Sequence, residues 1–314
     1  MKPMVQSAGL AHASLPSRPV HLAIGMFDGV HLGHRSVIEA AVQSARRSGG
    51  VAAVLTFAPH PSVVFRPESP TGLIMDVETK TSYLRQLGVE TVIVEPFTPE
   101  YAKITAEEFL PHLRSYLPQL AAVYVGENWR FGQGRRGGVA LLITEGLRLG
   151  FSIFSAPRVN LDGEPISSTR IRSLLTAGDV MNANRLLGHT YTANGVIVPG
   201  KRLGRTIGFP TLNVAWSPGL RPKFGVYSVR VLGSKSAVVL NGVANYGLSP
   251  TVEQASEPRL ETHVFGECPY EEGDQITVEW LRFLRAEMKF SGLEVLQAQI
   301  ARDVIAARSE FFLP

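Results

Sequence analysis

Two histidines three residues apart, His31 and His34, sit in a glycine-rich run, Gly25-Met26-Phe27-Asp28-Gly29-Val30-His31-Leu32-Gly33-His34. Imidazoles donate hydrogen bonds to phosphoryl oxygens and can carry positive charge near neutral pH, so two aimed at one point suit an anion. Glycines at 25, 29 and 33 allow close backbone approach, and a helix starting here offers free N–H groups. A second stretch, Ile166-Ser167-Ser168-Thr169-Arg170-Ile171-Arg172, puts hydroxyls at a helix start. Ser167 and Thr169 can cap that helix and also hold phosphate, with Arg170 neutralising it. In a third, Gly200, Lys201, Gly204 and Arg205 form a basic glycine loop able to close over phosphates. Thr211 and Asn213 follow at i, i+2 spacing and point the same way in a strand, where their hard oxygens suit Mg²⁺ that also holds ATP phosphates.

These stretches need a scaffold. An apolar run, Val20-His21-Leu22-Ala23-Ile24, enters the first turn, and a helix-patterned segment, 36–47, leaves it. Strands are expected at 51–57, 91–95, 121–125 and 151–156, and helices at 77–87, 100–117 and 139–149. Thr105 and Glu108 have capping-box spacing inside the second of those helices. Continuous apolar strands alternating with helices predict an α/β domain with a parallel sheet covered on both faces. Ligands then sit at the carboxyl ends of the strands, where the motifs fall.

Two further loops stand at strand ends. Pro59-His60-Pro61 fixes the backbone around His60, either for function or simply as a rigid turn. Residues 132–137 spell Gly-x-Gly-x-x-Gly, the pattern of a dinucleotide-binding turn. Six residues separate it from the preceding strand, and Asp162 lies in a loop rather than at a strand end, so that assignment is rejected. The segment Asn128-Trp129-Arg130-Phe131 reads instead as an aromatic and arginine loop able to pack on a ring system and its phosphates. A short helix over 179–187 ends at Gly188, which sets a boundary between domains 1–188 and 189–314.

Beyond it, short strands at 191–198, 225–232, 236–243, 259–265 and 276–280 predict a small antiparallel β-barrel. A terminal helix over 292–312 carries the apolar stripe Leu293, Leu296, Ile300 and Val304. Residues 195–201 match the start of a P-loop, but Arg202 replaces the required hydroxyl and no helix is expected there.

Composition narrows the class. The 314 residues are 45% hydrophobic and 18% charged, with a net charge of +4. No apolar run approaches the roughly 20 residues of a membrane span, and 1–19 lacks the apolar core of a signal peptide. A single cysteine, Cys268, excludes an internal disulfide and a cysteine zinc site and favours the cytoplasm. No long Lys/Arg run or aromatic-interleaved basic stripe points to nucleic acid.

The opening turn resembles the His-x-Gly-His signature of the nucleotidyltransferase superfamily, narrowed by the preceding Phe-Asp-Gly-Val. The stretch at 166–172 stands where that superfamily places its second phosphate motif. Gly208-Phe209-Pro210-Thr211-Leu212-Asn213 looks like the riboflavin kinase signature. The chain also carries Asn241-Gly242-Val243-Ala244-Asn245, Leu260-Glu261-Thr262-His263 and Leu284-Arg285-Ala286-Glu287-Met288-Lys289-Phe290. From about Val20 to its end it resembles the prokaryotic bifunctional riboflavin kinase/FAD synthetase family.

That resemblance implies a Rossmann-like nucleotidyltransferase domain followed by a kinase barrel with a terminal helix. The barrel would phosphorylate the ribityl 5′-hydroxyl of riboflavin from MgATP, and the first domain would adenylylate FMN with a second ATP. It implies Glu261 as the kinase base and Thr211 and Asn213 as Mg²⁺ and ATP ligands, beside Gly200, Lys201, Gly204 and Arg205. His31, His34 and Arg170 would act in adenylyl transfer, with Gly25, Phe27, Gly33, Ser167 and Thr169 around the ATP. Asn128, Arg130 and Arg285 would contact flavin. Structural alternatives are an exposed strand residue for Glu261 and a salt-bridging residue for Arg285. Met26 and the turn Pro269-Tyr270-Glu271-Glu272-Gly273 depart from the family pattern.

The expected partners are riboflavin, FMN and ATP, without nucleic acid or membrane, in a monomer or weak homo-oligomer. The competing readings are a chain that keeps only one activity, a nucleotidyltransferase-like nucleic-acid-binding protein, and a pure flavin-binding module.

Overall fold

In a computed structural model, the structure describes residues 5–200, 203–233, 235–248 and 257–311. The chain forms two compact units, Met1–Ser168 and Thr169–Pro314.

The first unit is built on six strands: β1 (Val5–Ser7), β2 (Val20–Ile24), β3 (Val51–Ala58), β4 (Thr91–Pro96), β5 (Leu120–Gly126) and β6 (Ser152–Ala156). They pair in parallel in the order β1-β4-β3-β2-β5-β6. Central β2 is buried along its whole length, as continuous apolar runs require when both faces are covered. The helices are α1 (Leu32–Ser48), α2 (Pro61–Phe65), α3 (Val77–Gln86), α4 (Ala106–Tyr116) and α5 (Val139–Leu149). One core layer gathers Phe109, Leu110 and Leu113 of α4 against the sheet, and the other gathers Val37, Ile38 and Ala41 of α1. A two-residue hairpin pair, β7 (Asn160–Leu161) and β8 (Glu164–Pro165), ends the unit.

The second unit opens with α6 (Ser168–Ala177), whose first residue still belongs to the first unit, and α7 (Val180–Leu187). There follow β9 (Tyr191–Val198), α8 (Leu203–Thr206), β10 (Leu212–Ala215), β11 (Gly225–Gly233), β12 (Ser236–Gly247), β13 (Arg259–Val264), β14 (Gln275–Arg285) and α9 (Leu293–Phe311). The six strands close a barrel in the order β10-β13-β12-β11-β14-β9. Its interior is filled by Tyr227, Tyr246 and Trp280, all fully buried.

Four local expectations change. Helix α1 begins at Leu32, because the His31 side chain caps it. The capping box of Thr105 and Glu108 starts α4 rather than lying inside a longer helix, and 101–103 form a separate turn. Residues 5–7, unread in the sequence, add the edge strand β1 beside β4. The stripe on α9 is displaced. Leu293 is exposed, and the face on the barrel runs through Asp303, Val304, Ala307 and Phe311. Asp303 belongs to that face because it meets an arginine, which a search for apolar spacing cannot detect.

Candidate active sites

The turn between β2 and α1 lies at the carboxyl end of the central strand. Phe27, Gly29 and Val30 have φ of +49°, +87° and +38°. Left-handed backbone at a non-glycine residue costs about 1–3 kcal/mol and persists only where neighbours enforce it. Those neighbours are visible. The Met26 carbonyl accepts from Thr56 Oγ1 at 3.0 Å and from Lys80 Nζ at 3.1 Å. The Asp28 carboxylate accepts from the Ile74 N–H at 3.0 Å and the Met75 N–H at 3.4 Å, and Ser168 Oγ donates to the Asp28 carbonyl at 2.9 Å.

His31 and His34 are stacked, with ring centroids 3.5 Å apart and planes 17° from parallel. His31 Nδ1 accepts from the His34 N–H at 3.3 Å, which assigns the ring proton of neutral His31 to Nε2. His34 meets the Phe27 ring edge-on at 5.3 Å. Two glycines serve these rings. A Cβ at Gly33 would stand 3.2 Å from His31 Nδ1, and one at Gly25 would stand 3.0 Å from the Phe27 ring. Ser167 belongs to this unit as well, while Thr169 and Arg170 belong to the second.

Lys80, Thr56 and Asp28 were not among the expected site residues. Lys80 is 6% exposed, and burial lowers its ammonium to about 8 against an opposing pull from Asp28. Its sequence signal is a lysine on the buried stripe of α3, with Thr81 and Leu84.

The loop after β5 is packed by its own rings. Trp129 stacks on Phe131 at 4.8 Å, and both rings lean on Phe109. Phe131 is buried, whereas Asn128 and Arg130 are exposed. The glycines of the rejected dinucleotide pattern have packing roles: Gly132 lies against the Ala106 backbone and Gly137 against the Phe131 ring. His60 caps α2, its Nδ1 accepting from the Ser62 N–H at 3.1 Å.

On the barrel, one transverse row collects residues expected to have three different roles. Register pairs run from Arg285 to Val226, Asn245, Glu261 and Asn213 across β14, β11, β12, β13 and β10. The alternate residues Leu260 and Thr262 point inward and are buried, so Glu261 is on the outer face. A cavity of about 280 Å³ beside that row is lined by Gly200, Arg205, Thr211, Asn213, Glu271 and Glu272, among others. Gly200 lies directly against the Asn213 amide, and Gly204 against the Phe209 carbonyl. Lys201 lies outside the described residues. Arg285 is engaged by Asp303: Nε donates to Oδ1 at 2.9 Å and a terminal nitrogen to Oδ2 at 2.7 Å. Gln299 also donates to that carboxylate, at 2.8 Å.

Comparison with known proteins fits these two clusters. The family model for FAD synthetase matches residues 15–170, and that for riboflavin kinase matches 187–311. The Escherichia coli (strain K12) bifunctional riboflavin kinase/FMN adenylyltransferase is 37% identical over 297 residues, 95% of this chain and 94% of its own. This chain belongs to the bifunctional riboflavin kinase/FMN adenylyltransferase family. The Bacillus subtilis (strain 168) member is 36% identical over 287 residues, 90% of this chain and 89% of its own. A crystal structure described as a macrolide-efflux protein from Streptococcus pneumoniae superposes with a TM-score of 0.87 at 27% identity, covering 97% of this chain and 98% of that one. Among the described residues no helix is long and apolar enough to cross a membrane. Within the bifunctional family, the FAD synthetase match contains the stacked histidines, and the riboflavin kinase match contains the whole Arg285-to-Asn213 row.

Proposed function

We propose that the barrel row and its cavity phosphorylate riboflavin and that the β2–α1 turn adenylylates the FMN produced. The enzyme is a bifunctional riboflavin kinase and FMN adenylyltransferase with ATP as co-substrate in both steps. The observation that carries the assignment of roles is the separation of two phosphate-handling clusters, one in each unit.

In the kinase step, Glu261 accepts the proton of the ribityl 5′-hydroxyl as its oxygen attacks the γ-phosphorus and ADP leaves. Thr211 and Asn213 offer hard neutral oxygens at the cavity wall, which fit Mg²⁺ shared with nucleotide phosphates. Among the described residues no group of three or more His, Cys, Asp or Glu could hold a metal ion by itself. Mg²⁺ supplies charge neutralisation at the transferring phosphoryl group. Gly200, Lys201, Gly204 and Arg205 surround the phosphates.

In the adenylyl step, an FMN phosphate oxygen attacks the α-phosphorus of ATP and pyrophosphate departs. Phosphate is its own nucleophile, so the protein positions the reactants and stabilises charge. His31 Nε2–H and the His34 ring donate toward the phosphates. Gly25, Phe27, Gly33 and Ser167 complete that site within the first unit, with Asn128 and Arg130 toward the flavin. Arg285 serves the flavin of the kinase, steadied by Asp303.

Domains 1–188 and 189–314 are the working units, a division supported by the left-handed C-cap at Gly188 and by the start of the kinase match at residue 187. The protein acts in the cytoplasm as a monomer or weak homo-oligomer, without nucleic acid or membrane. The single cysteine supports the cytoplasmic setting.

The test is to incubate the protein with riboflavin, ATP and Mg²⁺ and to separate the flavins by chromatography. FMN followed by FAD is expected. Failure to convert either riboflavin or supplied FMN would refute the assignment.

A further inference from the structure

The ammonium of Lys80 lies behind the β2–α1 turn, in a place the phosphate chemistry itself does not require. Its Nζ donates to the Met26 carbonyl at 3.1 Å and to Thr56 Oγ1 at 2.9 Å, and Thr56 Oγ1 donates to that same carbonyl at 3.0 Å. One peptide oxygen thus receives two donors from two elements, β3 and α3. In a trans peptide the N–H points opposite to the C=O. Pulling the Met26 oxygen toward Lys80 and Thr56 therefore turns the Phe27 N–H the opposite way, away from those two side chains. Phe27 has φ +49°, a conformation that a bulky residue leaves unless its flanking peptides are held.

The next peptides are fixed too, by the Asp28 carboxylate on the Ile74 and Met75 N–H groups and by Ser168 on the Asp28 carbonyl. Met26 is the member of the turn whose peptide orientation depends on a buried charge. Lys80 is 6% exposed, and an ammonium is withdrawn from water only where its donors are used. The Lys80 ammonium takes no part in closing α3, whose N-cap is Asp76 and whose first turn is closed by the Lys80 backbone N–H on the Asp76 carbonyl at 3.0 Å.

We infer that Lys80 is a positioning residue for adenylyl transfer: with Thr56 it locks the Met26 peptide so that the Phe27 N–H faces the phosphates of bound ATP. The inference rests on the reading of the first unit as the adenylyltransferase. Lys80 itself touches neither substrate.

The experiment measures FAD formation from FMN and ATP, and FMN formation from riboflavin, in the full-length wild type and in Lys80→Met, Lys80→Gln and Thr56→Val. For Lys80→Met, kcat for FAD formation should fall roughly 10- to 100-fold, the scale of a small misplacement of reacting groups. KM for FMN should stay within about twofold, as it does when an interaction made in the transition state is lost. Riboflavin phosphorylation should be unchanged. Lys80→Gln, which keeps a donor without the charge, should recover part of kcat, and Thr56→Val should lose less than Lys80→Met. Because both donors share one acceptor, the double variant should lose less than the product of the single losses. Thermal unfolding of each variant separates loss of the fold from loss of position: Thr56→Val, folded like the wild type, must still lower kcat. Wild-type kcat in Lys80→Met, or a rise in KM for FMN with kcat intact, would overturn the inference while leaving the adenylyltransferase reading standing. Wild-type protein that makes no FAD from FMN would overturn both.

Discussion

Asn213 of β10 stands directly opposite Glu261 of β13, and Asn245 of β12 stands opposite Glu261 on its other side. Residues in register across an antiparallel pair share a face with their Cβ atoms about 4.5–5.5 Å apart. A carboxylate is thus flanked by two amides on the outer wall of the barrel. On the proposed reading, Asn213 holds nucleotide and ion on one side while the carboxylate takes a proton. Glu261→Gln keeps the shape and removes the base. Riboflavin phosphorylation should fall by about 10²–10⁴-fold, and FAD formation from supplied FMN should persist. Assaying the two steps separately checks this.

Gly200 borders the same cavity, and any Cβ there collides with the Asn213 amide. Gly200→Ala should displace that amide and raise the Mg²⁺ and ATP concentrations needed for half-maximal kinase rate. Titrating each at saturating riboflavin measures the effect.

At the other site the crowding is milder. A Cβ at Gly33 would stand 3.2 Å from His31 Cε1 and Nδ1, so Gly33→Ala should tilt the ring off its stack with His34. FAD formation should drop by about tenfold or more, as expected when an oriented donor is lost. His31→Ala should drop it at least as far. Riboflavin phosphorylation by either variant should match the wild type.

The Arg285–Asp303 ion pair bears on the stability of the barrel. Asp303 is 5% exposed and accepts three hydrogen bonds from Arg285. Asp303→Ala leaves a largely buried guanidinium without its partner, a change that costs about 3–5 kcal/mol. Denaturant unfolding followed by barrel tryptophan fluorescence should show that loss, with a raised KM for riboflavin in whatever folds.

Lys80 gives a pH signature. Its ammonium is lowered from 10.5 to about 8 in the folded chain, chiefly by burial. Between those two values the unfolded chain holds the proton and the native chain does not, so this residue makes stability rise with pH there. The shift corresponds to about 3 kcal/mol across the window. Below pH 8 both states are protonated and the contribution is flat. The difference in unfolding free energy between wild type and Lys80→Met should therefore grow in favour of wild type from about pH 8 to 10.5. A flat difference would contradict it.

Much of this was legible in the chain. Uninterrupted apolar strands alternating with amphipathic helices dictate a covered parallel sheet, because strands buried on both faces cannot alternate. Short strands divided by glycine and proline dictate a barrel in the same way. The stretches around His31 and Thr211 stand out in the chain because each gathers glycine, hydroxyl and basic or imidazole residues close together in sequence.

What the sequence could not supply is whatever depends on contacts between distant segments. Lys80 reaches Met26 across 54 positions, and Arg285 reaches Asp303 across 18. Local periodicity marks Lys80 only as a misplaced charge and Asp303 only as a gap in an apolar stripe. The alignment of Arg285, Asn245, Glu261 and Asn213 in one row is fixed by strand register, which a one-residue slip would destroy by sending each side chain to the opposite face. Local sequence decided which residues could do chemistry. Tertiary packing decided which of them meet, because a buried charge or a strained turn is stable only where a remote partner satisfies it.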